Sequence, residues 1–347
     1  MTRFSHSDRV HNRFRIGMPI FGFHDRLREG WRRVGGSMHR VAAFPFDHPG
    51  EPVSVYDYAP VLRVHDRGGD WVLKRTGLVH SDGEAIGRWL TALRGLGVDV
   101  VAPAAHLHPN LRRLDDGKEW VVYPFVSGTG YHAGEGEIAD AGRLLGRMHA
   151  ADPPEGSALA TYREPVVRDA EWIEPHLALA ENAIEAAGAD RYSLREVTLA
   201  RLAGAEPITG LPLAGCSFDF KASNLVFNPK PTLVDPDHAA RIPRLYDLAV
   251  ALLLFHCDLS TAPGRLWTPA EWATFLRGYA GHVAFTNAEL TAWPSILELA
   301  WLDQGVWILG NWPEGWADAK DRAYLLDVAA FDPAVFPLTP PDQTLRG

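Results

Sequence analysis

Ser217-Phe218-Asp219-Phe220-Lys221-Ala222-Ser223-Asn224-Leu225-Val226-Phe227 is followed, after a Pro-containing turn, by Leu233-Val234-Asp235-Pro236-Asp237. An Asp, an Asn five residues on, a short apolar run of β character and a second Asp beyond a turn are the parts that phosphoryl transfer requires. A carboxylate must orient a hydroxyl and take its proton. An amide oxygen and a second carboxylate can hold Mg²⁺, a hard cation that prefers oxygen ligands. On this reading Asp219 is the general base, and Asn224 and Asp235 are the metal ligands.

Upstream, Val61-Leu62-Arg63-Val64 and Trp71-Val72-Leu73-Lys74 are β-prone runs around Asp66-Arg67-Gly68-Gly69-Asp70, which predicts an antiparallel hairpin. Ser81-Asp82-Gly83-Glu84 reads as a capped helix start, with Ile86, Leu90, Leu93 and Leu96 at near-helical spacing behind it. β character returns over Val98 to Val101 and over Trp120 to Phe125, until Ser127-Gly128-Thr129-Gly130 breaks it. From Ile138 onward most of the chain to residue 333 reads as amphipathic helices joined by Pro- and Gly-containing loops. The exception is the β-like stretch between Ser217 and Val234. The predicted plan is α+β: an extension over residues 1–50, a small β-rich lobe over 51–122, a hinge over 123–128 and a larger helical lobe over 129–347.

Length and charge agree with that plan. At 347 residues, 46% of them hydrophobic, the chain can bury more than one small core. Its 34 Lys and Arg stand against 43 Asp and Glu, a formal charge of −9, which argues against a nucleic-acid partner. Cys216 and Cys257 form no zinc or disulfide pattern, and a reducing, cytoplasmic setting is expected. The polar start carries no signal-like apolar run, and the longest apolar stretch, near Leu248 to Phe255, is too short to span a membrane.

These motifs resemble the aminoglycoside phosphotransferase and choline kinase family of the protein-kinase-like superfamily. Its catalytic loop commonly reads His-Gly-Asp-Phe-His-Pro-Gly-Asn, and its metal-loop Asp is followed about a dozen residues later by Tyr-Asp-Leu-Ala. Here the catalytic loop is Ser217 to Asn224, the metal-loop residue is Asp235, and Tyr246-Asp247-Leu248-Ala249 follows. The spacing is kept, while Ser217 and Phe218 replace the His and Gly. The resemblance covers roughly Ser54 to Tyr279. It implies a bilobal protein-kinase-like fold and transfer of the γ-phosphoryl group of ATP or GTP, with Mg²⁺, to a hydroxyl of a small molecule. It also implies a buried role for Asp247, hydrogen-bonded to the catalytic-loop backbone, and a packed structural role for His149.

Further assignments follow from the same resemblance. Lys74 is expected to reach the nucleotide phosphates and to pair with Glu84. Lys221, two residues after Asp219, matches a Lys that many protein kinases place beside the transferring group. Tyr123 and Phe125 fall in the hinge that takes the adenine. No Gly-rich phosphate loop precedes the hairpin, so the covering loop is assigned to Val55-Tyr56-Asp57-Tyr58-Ala59-Pro60, with Val34-Gly35-Gly36-Ser37-Met38 as the alternative. For the acceptor, Trp301, Asp303 and Trp307 could share one helical neighbourhood and form an aromatic wall with a polar handle, and Asp258 is a second candidate acid. A Ser/Thr protein kinase of the bacterial stress-response type is an alternative, opposed by the short interval between Asp235 and Asp247. A non-catalytic nucleotide-binding pseudokinase is another, motivated by Ser217 and Phe218.

Overall fold

The structure is a computed structural model that describes residues 61–66, 69–77, 79–107, 109–113, 117–189, 194–257 and 259–338. The proposed extension, both candidate phosphate-covering loops with Tyr56 and Asp57, and Asp258 lie outside these residues.

Strand β1 (Val61–Asp66) runs antiparallel to β2 (Gly69–Thr76), with Val61 opposite Lys74, so the expected hairpin forms. β3 (Arg112–Arg113) and β4 (Glu119–Pro124) complete a sheet in the order β1-β2-β4-β3. Alternation along β2 sorts its side chains by face. Leu73 joins Leu62, Val64, Trp120 and Val122 in a small apolar core, whereas Lys74 and Thr76 share the opposite face with Val121 and Tyr123. Lys74 is thereby turned toward the second lobe.

Helix α1 (Gly83–Gly95) starts where its capping residue predicts, because the Asp82 carboxylate accepts from the Ala85 amide. Its apolar stripe of Ala85, Ile86, Trp89, Leu90 and Leu93 is buried. Trp89 lies so close over Gly215 that a Cβ there would stand 2.5 Å from its indole nitrogen. The Val98–Val101 segment, expected as a strand, makes a single parallel bridge between Val100 and Leu233.

The larger lobe follows as α2 (Glu135–Ala151), α3 (Ala170–Ala186), α4 (Leu194–Ala203), α5 (Arg244–Leu254), α6 (Pro269–Ala280), α7 (Asn287–Ala300), α8 (Val306–Asn311), α9 (Pro313–Ala317) and α10 (Ala319–Ala329). Ten consecutive residues of α5, Leu245 to Leu254, are buried, as expected for a helix apolar on all sides at the centre of a core. α2 and α6 cross on small residues. A Cβ on Gly146 would come within 2.6 Å of the Tyr279 carbonyl oxygen, and one on Gly278 within 2.3 Å of that of Ala139. No helix among the described residues is long and apolar enough to cross a membrane.

Two short antiparallel pairs are set into this helical lobe. β5 (Leu213–Cys216) pairs with β8 (Ala240–Pro243), and β6 (Leu225–Phe227) with β7 (Pro231–Leu233). The segment from Ser217 to Asn224 therefore links β5 to β6, and Val234 to Ala239 links β7 to β8. After Asp237 the chain makes only a turn and β8 before entering α5.

Candidate active site

The two linking loops are held side by side. The Val234 amide donates to the Asn224 carbonyl at 2.9 Å, and the Ala222 amide donates to the Phe255 carbonyl at 2.9 Å. Within the first loop the Asn224 side-chain amide donates to the Asp219 backbone oxygen at 2.8 Å and to its carboxylate at 3.0 Å. Both donors of Asn224 are thus engaged, so its carbonyl oxygen is the atom left for a cation. Lys221 Nζ stands 3.3 Å from the same Asp219 carboxylate.

Lys74 crosses from the small lobe to the second loop. Its ammonium lies 2.6 Å from Asp235 and 2.9 Å from Asp237, and Thr76 donates to Asp237 at 3.2 Å. Burial alone would lower the Lys74 pKa, but the two carboxylates outweigh it and raise it above its usual value. Burial also pushes the carboxyl of Asp235 up, and there Lys74 wins and holds it below the ordinary range. Asp237 goes the other way, raised by burial and, beyond what Lys74 offsets, by the negative charge of Asp235. Two carboxylates gathered on one ammonium leave the cleft with negative charge to spare.

The family model of the phosphotransferase enzyme family matches residues 56–298. The chain belongs to this phosphotransferase family. Among solved structures, this phosphotransferase is similar to an amicoumacin kinase in complex with AMP-PNP, Ca²⁺ and Ami, at 15% identity and a TM-score of 0.56 over 87% of this chain and 94% of that one. It is similar to a spectinomycin phosphotransferase in complex with ADP and spectinomycin, at 13% identity and 0.55 over 84% and 96%. A microcompartment-associated aminopropanol kinase matches at 15% identity and 0.52 over 88% and 100%. These likenesses establish the bilobal kinase-like fold. No curated protein matches the chain.

Several expectations for the phosphotransferase are corrected by the geometry. Glu84 does not pair with Lys74. It falls in the first turn of α1 on the face opposite the buried stripe, 71% exposed, and bonds to Arg88 one turn on. Asp235 and Asp237 take its place, and Asp237, unassigned from the sequence although it stands two residues past the metal-loop Asp, is the residue that reading overlooked. Asp247 does not bond to the catalytic-loop backbone. His149 reaches it from α2, with Nε2 2.9 Å from one carboxylate oxygen, while Nδ1 lies 2.9 Å from the Tyr279 hydroxyl. Among the described residues the second Asp247 oxygen and the Ser217 hydroxyl are buried without a hydrogen-bond partner.

The expected aromatic acceptor wall is also absent. Trp301 is fully buried and donates to the Val328 carbonyl at 2.7 Å. Asp303 sits in a π-helical turn (Trp301–Gly305) at 1% exposure, accepting from Arg168 Nε at 2.6 Å, the Tyr246 hydroxyl at 2.7 Å and Gln304 at 2.7 Å. Trp307 is half-buried against the helical core. Asp303→Asn should therefore act on the fold. Keeping an acceptor for Arg168 but losing the charge, it should lower unfolding free energy by about 2 kcal/mol in urea titration.

Tyr123 is buried on the Lys74 face of the sheet, and its phenol is raised by burial and then by Asp237. Phe125 packs under the Arg63 guanidinium, 4.0 Å from its ring centre, and its amide donates to the Asp70 carbonyl at 3.0 Å. That amide is consequently spent within the sheet.

Phe220 anchors the Ser217 to Asn224 loop in a buried aromatic cluster with Phe255 and Phe275, at ring distances of 6.1 and 6.4 Å. His256 belongs to this cluster. Its Nδ1 faces the Arg265 carbonyl at 2.9 Å and must donate, so Nε2 accepts from Tyr131 at 3.1 Å and the ring is held neutral. Burial lowers its pKa to about 4. The unfolded chain then binds this proton first, near pH 6.5. Stability is full above that value and falls as pH drops toward 4. Between pH 7 and 5 the wild type should lose about 2 kcal/mol more than His256→Gln in urea unfolding.

The residue before Asp219 adopts a conformation that side chains seldom take. Phe218 has φ +55° at the position where the family commonly carries Gly, at a cost of about 1–2 kcal/mol. It is buried and packs on His80 and Tyr246.

Proposed function

We propose that the chain is a small-molecule kinase, transferring the γ-phosphoryl group of ATP or GTP to a hydroxyl of an antibiotic, nucleoside, sugar or amino alcohol. The observation that carries this reading is Lys74, brought across the cleft to the carboxylates of Asp235 and Asp237, beside a loop where Asn224 is bonded to Asp219. Asp219 is the general base for the acceptor hydroxyl. Lys221 places positive charge beside it. The Asn224 carbonyl oxygen with the carboxylates of Asp235 and Asp237 forms the hard-oxygen donor set that fits Mg²⁺. Mg²⁺ would supply charge neutralisation at the nucleotide phosphates. Lys74 would exchange its carboxylates for those phosphates, and hinge main-chain groups near Tyr123 and Phe125, other than the spent Phe125 amide, would receive the base.

The solved relatives support the acceptor class: one is a spectinomycin phosphotransferase and another an aminopropanol kinase. A protein substrate is disfavoured because β8 fills the interval between Asp237 and α5, leaving no segment to hold a peptide. The test is a coupled nucleotide-consumption assay with Mg²⁺ over aminoglycosides, spectinomycin-like antibiotics, nucleosides, sugars and amino alcohols. Turnover stimulated by one class is the expected result. Nucleotide binding with no stimulation by any acceptor would sink this reading.

A further inference from the structure

We propose that His80 is a positioning residue for the Asp219 loop, acting from the small-lobe side through Phe218. The inference rests on the phosphotransferase reading of that loop. The His80 ring lies 5.0 Å from the Phe218 ring at an interplanar angle of 36°. It meets Tyr162 edge-on at 5.5 Å and His238, the residue after Asp237, at 6.3 Å. Phe218 also meets Tyr246 at 5.8 Å, whose hydroxyl is fixed by the buried Asp303–Arg168 pair. The next residue, Ser81, donates to the Ala239 carbonyl at 2.7 Å and accepts from the Ala160 amide at 3.0 Å. His80 and Ser81 thus join the end of the β2 segment to both catalytic-site loops.

The left-handed backbone of Phe218 gives this packing its function. A strained residue keeps its conformation only where its surroundings over-determine it. Phe218 has such surroundings in two rings, those of His80 and Tyr246, and Asp219 inherits its direction from Phe218 as the following residue. A Gly at this position could adopt the same φ without strain but would also be free to leave it. The ring of Phe218, clamped by His80, supplies the definition that a Gly lacks. The sequence pattern shows only the loss of His-Gly; the compensating ring stands more than 130 residues upstream.

The experiment compares wild type with His80→Ala, His80→Leu and His80→Phe. Leu keeps apolar bulk without a ring, and Phe keeps the ring without the imidazole nitrogens. Mg²⁺-dependent ATP consumption is measured with the best acceptor of the panel, or with water as acceptor. Affinity for Mg·AMP-PNP is measured by calorimetry, and amide hydrogen exchange is followed over residues 217–224. His80→Ala and His80→Leu should lower kcat roughly tenfold or more. Nucleotide affinity should stay within about twofold. Exchange over 217–224 should rise roughly tenfold while α5 stays protected. His80→Phe should restore both readouts.

Wild-type kcat and wild-type exchange in His80→Leu would overturn the proposal, as would a failure of His80→Phe to restore exchange. Should the wild type turn over no nucleotide, the kinase reading fails, and exchange over 217–224 alone decides the role of His80. If His80→Ala does not fold, the Leu and Phe variants carry the same comparison.

Discussion

Asp219→Asn should abolish most acceptor-dependent phosphoryl transfer, lowering kcat by roughly 10²–10⁴-fold, the range that a positioned general base contributes. The substitution removes the carboxylate to which the Asn224 amide donates, at 3.0 Å, and sets an amide in its place. Two outcomes are possible for the new side chain. It can turn its oxygen toward the Asn224 amide and preserve the loop, or it can present its NH₂ and break the bond. Affinity for Mg·AMP-PNP separates them, because only a broken loop also displaces the Asn224 oxygen. An unchanged affinity with lost turnover assigns Asp219 to proton transfer. Unchanged turnover would remove Asp219 from the chemistry altogether.

Lys74→Met should be the most damaging change to stability. The ammonium is buried against two carboxylates, at 2.6 and 2.9 Å, and removing it leaves both without their ion-pair partner. Breaking a buried pair in this way costs about 3–5 kcal/mol, and the partial exposure of Asp235 puts the expected loss near the lower figure. Asp237→Asn in the Lys74→Met background should recover part of it, since one of the two orphaned charges is then gone. Mg²⁺ should raise the urea midpoint of Lys74→Met more than that of wild type, because a cation bound only to the folded state stabilises it by mass action. Equal midpoints for Lys74→Met and wild type would show the pair to be dispensable.

Much of this architecture could be read along the chain because its signals are local. The β-prone runs on either side of Asp66-Arg67-Gly68-Gly69-Asp70 placed the hairpin, the Ser81-Asp82-Gly83-Glu84 stretch placed the start of α1, and the fixed interval from Asp219 to Asn224 and Asp235 marked the two loops. What stayed hidden depends on contacts between residues far apart. Lys74 lies 161 residues from Asp235, and no property of either one indicates that Asp237 completes the group while Glu84 faces solvent. Asp303 misled for the opposite reason. A lone acid in an apolar run reads as a binding group, but Arg168, 135 residues earlier, neutralises it within the core. The tryptophans around it show the same limit, for periodicity reveals which side of a helix is apolar and not whether that side meets a ligand or another helix.

The brevity of the chain between Asp237 and α5 bears on how such a catalyst is governed. Protein kinases are commonly switched by phosphorylating an activation loop that is disordered until Arg residues grip the new phosphate. Here that stretch is a turn and one strand locked to β5 by four residue pairs, from Leu213–Pro243 to Cys216–Ala240. Lys74 is held by Asp235 and Asp237 and not by an acid of α1, so a swing of that helix would neither seat nor release its ammonium. A molecule built this way offers no such segment between Asp237 and α5 for phosphorylation to order.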